Sequence, residues 1–285
     1  MVVFLNGKFV PEEQALVSVF DRGFLYGDGL FETIGVFNRV PFRWHQHLER
    51  LQQGSAFLKM ALPFGPNELR GFAERLLAEN GLTDAILRLT LSRGKGVRGY
   101  SPKGADHPFL VMTLHPVPDL DPQTVAQWHL ITSSIRLPAN ERLARFKTCN
   151  KLPQIMARAE ADALNAQEAL LLNTDGFVVE GTSSNLFWIE KDTVATPPLT
   201  SGILPGVTRS VIFELCDRLN LRRCEADITP DQIATREGIF LSMSSLGIVE
   251  ATRLDDQPLR QSPVSTQLAH AYWDFVNSET RPQCR

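Results

Sequence analysis

Residues 168–190 read EALLLNTDGFVVEGTSSNLFWIE, and no helix can be laid through them. Short apolar runs are cut at Asp175-Gly176 and again at Gly181 and two serines. An Asp-Gly pair supplies the positive-φ positions of a tight hairpin, so the stretch reads as a hairpin followed by a third strand, NLFWIE. The same texture continues on both sides. Residues 128–137 read as a strand, and residues 237–254 as a strand, a small-residue turn and another strand. Residues 151–166 and 206–220 carry helical spacing. Strand-rich material with few helices predicts an irregular, barrel-like domain here.

The amino-terminal part is mixed differently. VVFLNGKFV reads as a hairpin about Asn6-Gly7, and residues 30–36 as a strand that ends in a turn at Asn38-Arg39. Residues 45–60 bring Leu48, Leu51, Phe57 and Leu58 to one side of a helix. Residues 66–80 form a second helix, opened by Pro66 and closed by Gly81. Residues 85–94 and 108–117 are strands around GKGVRGYSPKGAD, a loop whose glycines predict mobility and a lid. A chain of 285 residues is long for one compact core. The expected organisation is α+β in two domains: residues 1–116, a proline- and acid-rich linker at 117–123, and residues 124–285.

Composition excludes several classes. The formal net charge of -3, with its basic residues scattered, gives no reason to expect a nucleic-acid partner. The start is apolar for only a few residues, so no signal peptide is expected, and no run approaches the ~20 apolar residues of a membrane span. Cys149, Cys216, Cys224 and Cys284 lack metal-ligand spacing; no metal is expected, and reduced thiols in a cytoplasmic protein are the expectation.

Chemistry concentrates between Lys147 and Arg209. The chain has seven lysines, and five of them sit in turns, loops or polar faces. Lys147 and Lys151, in FKTCNKLPQ, lie where a strand-like segment enters a helix. Burial against apolar groups lowers the pKa of a lysine and prepares its amine to attack an aldehyde. Glu180 follows two valines at a strand end. GILPGVTRS sets Val207 and Thr208 at a helix start, where free N–H groups and the helix dipole attract an anion, and SMSSLG adds the hydroxyls of Ser244 and Ser245 on a tight turn. An imine-forming amine, an acid to face a ring nitrogen and a phosphate cup are together the needs of pyridoxal phosphate. Singly, each has an ordinary reading: a solvated lysine, a surface glutamate, a helix cap.

Four segments also carry a resemblance. FDRGFLYGDGLFETIGVF…PFRWHQHLERL, FKTCNKLPQIMARAEA, EALLLNTDGFVVEGTSSNLFWIE and TPPLTSGILPGVTRSVIFEL occur in the order and spacing of the class IV aminotransferase family, the fold type IV pyridoxal phosphate enzymes. The similarity covers nearly the whole chain. It implies a smaller amino-terminal α/β domain and a larger carboxy-terminal pseudo-barrel domain that carries the cofactor lysine. It implies pyridoxal 5'-phosphate as cofactor, with Lys147 holding it covalently and moving the proton at the substrate's Cα. Lys151 matches a position that the family varies. The resemblance sets Glu180 against the pyridine nitrogen and Arg50 on the phosphate, where an arginine makes charge-assisted, forked hydrogen bonds. It also implies a homodimer, and it leaves His45 and His47 to the scaffold.

The resemblance bears on the reaction as well. LSRGKGVRGYSP is similar to a loop of aminodeoxychorismate lyases, and KTCNKLPQ to their run of lysine, two residues, Asn, a basic residue and Leu. Branched-chain aminotransferases tend to have FEGIR where this chain has FETIG, so Thr33 and Gly35 depart from that branch. The leading expectation is a lyase that releases pyruvate and 4-aminobenzoate from 4-amino-4-deoxychorismate, with Arg98 and Thr33 on the substrate side. The alternative is a transaminase acting on D-amino acids, branched-chain amino acids or amines.

Overall fold

The computed structural model describes residues 1–118 and 124–281; most of the expected linker, and Cys284, lie outside the described residues. Contacts divide the chain into two units. One comprises Met1–Val117, Phe146–Lys151 and the chain from Asn277 onward; the other comprises Pro118–Arg145 and Leu152–Val276. This is not the contiguous division expected from the linker. Phe146–Lys151, expected within the second domain, clusters with the first because its backbone pairs with a strand there. Phe31 N–H donates to Lys147 O and Cys149 N–H donates to Gly29 O, each at 2.9 Å.

The first unit contains β1 (Val2–Leu5), β2 (Lys8–Pro11), α1 (Arg22–Tyr26), β3 (Gly29–Phe37), β4 (Val40–Pro41), α2 (Trp44–Phe57), α3 (Pro66–Glu79), β5 (Ala85–Ser92) and β6 (Phe109–His115). The strands form one antiparallel sheet in the order β2-β1-β6-β5-β3-β4. The hairpin turn falls at Asn6-Gly7, as the sequence predicts, with both residues at positive φ. Alternate residues of β3 and β5 enter the core: Leu30, Ile34 and Val36, with Leu87, Leu89 and Leu91, pack with Leu48 and Leu51 of α2 and Leu69, Leu76 and Leu77 of α3. A strand's period of two therefore puts Glu32 on this helix-covered face and Phe31 and Thr33 on the other. By the same rule Arg88 and Thr90 join Phe31 and Thr33, their register partners across β3 and β5.

The second unit contains β7 (Ala126–Leu137), α4 (Leu152–Ala163), β8 (Glu168–Asn173), β9 (Val178–Gly181), β10 (Asn185–Glu190), β11 (Thr193–Thr196), α5 (Val207–Arg218), β12 (Arg222–Glu225), α6 (Pro230–Ile233), β13 (Gly238–Met243), β14 (Gly247–Leu254), β15 (Gln257–Pro258) and most of α7 (Pro263–Glu279). Its strands run β10-β13-β14-β7-β8-β9, and β9 pairs back onto β10, which closes a barrel. β11 and β12 extend the sheet from β10. The expected pseudo-barrel is present. Its interior is filled rather than open: Leu130, Leu170, Leu172, Val178, Leu186, Ile239, Leu241 and Val249 form one buried cluster. Helix α4 begins at Leu152, so Lys151 immediately precedes it. No helix among the described residues is long and apolar enough to cross a membrane.

Leu87 sits mid-sheet in the first unit with no exposed surface. Leu87→Ala is expected to cost about 2–5 kcal/mol, read as a lowered thermal midpoint with the far-UV spectrum retained.

Candidate active site

In the first unit the candidates gather on β3. The 146–149 segment runs antiparallel to it, with Thr148 bridged to Leu30. That pairing sets Lys147 beside Phe31, its Nζ 4.8 Å from the ring centroid. Arg88 shares the ring, with Cζ 4.0 Å from the same centroid. Arg88 is partly buried and donates to Thr90 Oγ1 at 3.2 Å; among the described residues no carboxylate pairs with it. Thr33, half-buried, lies in register with Arg88 on this face.

The opposite face of β3 holds a buried ionic group. Arg50, from α2, donates through Nε to Glu32 Oε1 at 2.8 Å and through Nη2 to Oε2 at 2.6 Å. His47 Nδ1 donates to Oε2 at 2.7 Å. Burial alone would raise the Glu32 carboxyl, but the Arg50 charge and the hydrogen bonds from His47 and Arg50 hold it at about 2. For His47 burial dominates, and the charges of Arg50 and Lys147 add to it; the imidazole is pushed down despite its Glu32 bond. A neutral His47 therefore serves as a donor to an ionised Glu32. Two donors of Arg50, the expected phosphate ligand, are engaged by Glu32.

Arg98 stands apart. It is exposed, in the loop that joins β5 to β6, and has no hydrogen bond or ion pair among the described residues. The loop itself, expected to be mobile, is tied down where it bends. Arg22 donates to Gly99 O at 2.9 Å, Tyr100 O at 3.0 Å and Ser101 O at 3.1 Å.

In the second unit the candidates converge on the approach to α5. Glu180 ends β9 and pairs with Asn185 of β10, which pairs in turn with Ser242 of β13. Glu180 Oε2 accepts from Leu204 N at 3.0 Å, and Asn185 Nδ2 donates to Leu204 O at 2.9 Å. One peptide segment is thus gripped from both sides, and it leads straight into Gly206, the N-cap of α5. A Cβ at Gly206 would lie 1.9 Å from Asn185 Oδ1, so any larger residue would displace the Asn185 amide. Gly206 offers the helix no side-chain cap, and Val207 and Thr208 form its buried first turn. Ser244 and Ser245 form the turn between β13 and β14, and the buried Ser242 Oγ nearby has no protein partner. Behind the 181–184 turn, buried Glu168 accepts from Thr182 Oγ1 at 2.5 Å and Ser184 Oγ at 3.3 Å.

These residues fit pyridoxal phosphate. An uncapped helix start suits a phosphate, as do the serine hydroxyls of a tight turn, and a carboxylate held by a backbone N–H suits a ring nitrogen. Cys149 is no competing nucleophile, because burial pushes its thiol up. Arg88, Asn185, Leu204 and Gly206 were not singled out from sequence. The signal for Arg88 was a charge inside the apolar strand AILRLTLS.

The Glu32 carboxyl falls from an ordinary 4.5 to about 2, so it contributes stability above pH 4.5 that is lost as pH falls toward 2. Glu32→Gln is expected to lower stability by roughly 3 kcal/mol at pH 7. Thermal midpoints of the two proteins should draw together as pH drops below about 4.5. A gap independent of pH would remove the carboxylate charge as its source.

The family model for class IV amino-transferases matches residues 29–254. A Methanocaldococcus jannaschii protein provisionally named branched-chain-amino-acid aminotransferase is 34% identical over 265 residues, covering 93% of this chain and 91% of that one. Aminodeoxychorismate lyase of Bacillus subtilis is 30% identical over 258 residues, covering 90% and 87%. The crystal structure of a branched-chain aminotransferase from Thermoproteus uzoniensis superposes with a TM-score of 0.90 at 26% identity, covering 99% of this chain and 96% of that one. With the family model spanning most of the chain and two relatives at or above 30% identity along nearly its full length, this chain belongs to the class IV aminotransferase family of pyridoxal-phosphate-dependent enzymes.

Proposed function

We propose that this pyridoxal phosphate enzyme is a 4-amino-4-deoxychorismate lyase. The observation that carries the reading is the face of β3 and β5 opposite the helices, where the Lys147 amine and the Arg88 guanidinium share the Phe31 ring and, among the described residues, no carboxylate pairs with Arg88. A substrate that presents an amine to Lys147 finds a cation for its carboxylate at Arg88. Aminodeoxychorismate carries two carboxylates, and Arg98 supplies a second cation. The lyase-like loop LSRGKGVRGYSP supports the same choice.

When bound, the cofactor supplies an electron sink for bond breaking next to the substrate amine. In this reading Lys147 holds the cofactor and then moves the proton at the amine-bearing carbon. Departure of the enolpyruvyl group as pyruvate leaves aromatic 4-aminobenzoate. Glu180, steadied by the Leu204 N–H, keeps the ring nitrogen protonated. The first-turn N–H groups of Val207 and Thr208, the hydroxyls of Ser244 and Ser245, and the charge of Arg50 hold the phosphate. Thr33 lines the substrate face.

A second reading, transamination, is favoured by the names of the Methanocaldococcus and Thermoproteus proteins. It uses the same residues, with Arg88 taking the carboxylate of an amino acid. Purified holoenzyme is expected to absorb near ~400 nm, and Lys147→Ala to lose that band while Lys151→Ala keeps it. A panel of aminodeoxychorismate, D-alanine and L-leucine, the amino acids with 2-oxoglutarate, separates the readings. Pyruvate and 4-aminobenzoate from the first compound support the lyase; turnover of an amino acid alone makes the enzyme a transaminase.

The homodimer is likewise our inference, supported by exposed apolar side chains on the first unit: Leu16, Phe20, Phe24 and Tyr100. Sedimentation equilibrium is expected to give twice the chain mass, and Phe24→Asp to shift the protein toward monomer.

A further inference from the structure

We propose that Arg22 is a positioning residue that holds the glycine-rich loop as a fixed arm for carboxylate recognition. Residues 93–108 contain no helix or strand, so the loop lacks a ladder to fix its course. Gly94, Gly99 and Gly104 have positive φ, conformations that glycine adopts readily and other residues rarely do. An isolated bridge between Asp21 and Lys95 anchors its start, and the Arg22 side chain makes most of the hydrogen bonds that hold its middle. Arg22 is 3% exposed, and its planar guanidinium meets three successive carbonyls, those of Gly99, Tyr100 and Ser101. Its Nε donates to Asp28 Oδ2 at 2.8 Å. Four hydrogen bonds in one plane are what a guanidinium provides and an ammonium cannot.

The clamp is braced on both sides. Asp28 Oδ2 also accepts from Arg93 Nε at 2.7 Å, and Arg93 Nη2 donates to Leu58 O at 2.9 Å. Arg22 is thereby tied through Asp28 to the end of β5 and to the residue that follows α2. A Cβ at Gly96 would lie 2.9 Å from Arg22 Cδ, so the loop passes directly over the arginine stem. Tyr26 Oη accepts from Gly99 N at 3.3 Å, and its ring packs edge-on against Tyr100. The residue immediately before the three clamped carbonyls is Arg98. Its backbone is set by Arg22 while its side chain stays exposed. The functional consequence rests on the reading of Arg98 as a substrate-carboxylate ligand: the clamp pre-orders the arm that carries it, so binding does not have to order a glycine-rich segment.

Arg22→Lys keeps the charge opposite Asp28 and removes the fork. Limited trypsinolysis of the holoenzyme, with products identified by mass, reads the loop directly through Lys95, Arg98 and Lys103. Cleavage after these residues is expected to accelerate roughly tenfold or more in Arg22→Lys, and less in Tyr26→Phe, which loses only the Gly99 contact. The KM for whichever panel substrate turns over is expected to rise roughly tenfold, with kcat and the cofactor absorbance within about twofold of wild type. Arg98→Ala and the double variant separate the two claims. A double variant no worse than Arg98→Ala supports the clamp acting through Arg98. A rise in KM with Arg22→Lys but none with Arg98→Ala removes the Arg98 assignment and leaves the clamp standing. Wild-type cleavage of the loop in a folded Arg22→Lys protein, or faster cleavage with unchanged KM, overturns the proposal; should Arg22→Lys not fold, Tyr26→Phe is judged by the same two readouts.

Discussion

Two backbone hydrogen bonds organise the first unit's chemistry. Phe31 N–H to Lys147 O and Cys149 N–H to Gly29 O attach a short segment to β3 across more than a hundred residues of chain. Gly29 allows this approach, since a Cβ there would lie 2.6 Å from Leu91 O and 3.3 Å from Cys149 Sγ. The lysine consequently leaves a strand-like backbone of defined course, and its amine comes to lie over Phe31 rather than in solvent. Without that pairing, the same lysine would be one more polar side chain before a helix.

Charge placement around this strand follows from its two faces. Glu32 points into the helix-covered side and gathers Arg50 and His47, which between them satisfy both of its carboxylate oxygens. An unpaired carboxylate at that depth would be prohibitive, and the forked arginine contact is what makes it tolerable. Phe31 points the other way and collects Arg88 and Lys147. A single strand thus separates a buried ionic cluster from a partly buried face that carries two cations.

The second unit solves a different problem: how to aim a helix start. Leu204 is held by Glu180 through its N–H and by Asn185 through its carbonyl. The grip fixes the entry of α5, and Gly206 lets the chain pass close to Asn185. Carboxylate, amide and helix terminus are therefore one construction. The closure of the barrel at β9 and β10 brings Glu180 and Asn185 side by side, so the site and the barrel share a cause.

Much of this was legible in the chain itself. Period-two runs and Asn-Gly or Asp-Gly turns announced the hairpins at residues 6–7 and 175–176. Proline and glycine bounded the helix at Pro66–Glu79, and Lys147, Glu180 and the Val207–Thr208 helix start stood out as residue types suited to one cofactor. These are local properties, carried by side-chain shape and backbone freedom within a few residues. Pairings between distant residues were not legible. That Arg50 is shared with Glu32, that Phe146–Lys151 clusters with the first unit, and that Arg22 grips the loop before β6 depend on contacts 18 to 120 residues apart, which no local pattern encodes. The sequence alone determined which chemical groups the protein owns and which elements carry them. Only the tertiary structure decided which groups meet, because hydrogen-bond geometry and burial are properties of three-dimensional placement.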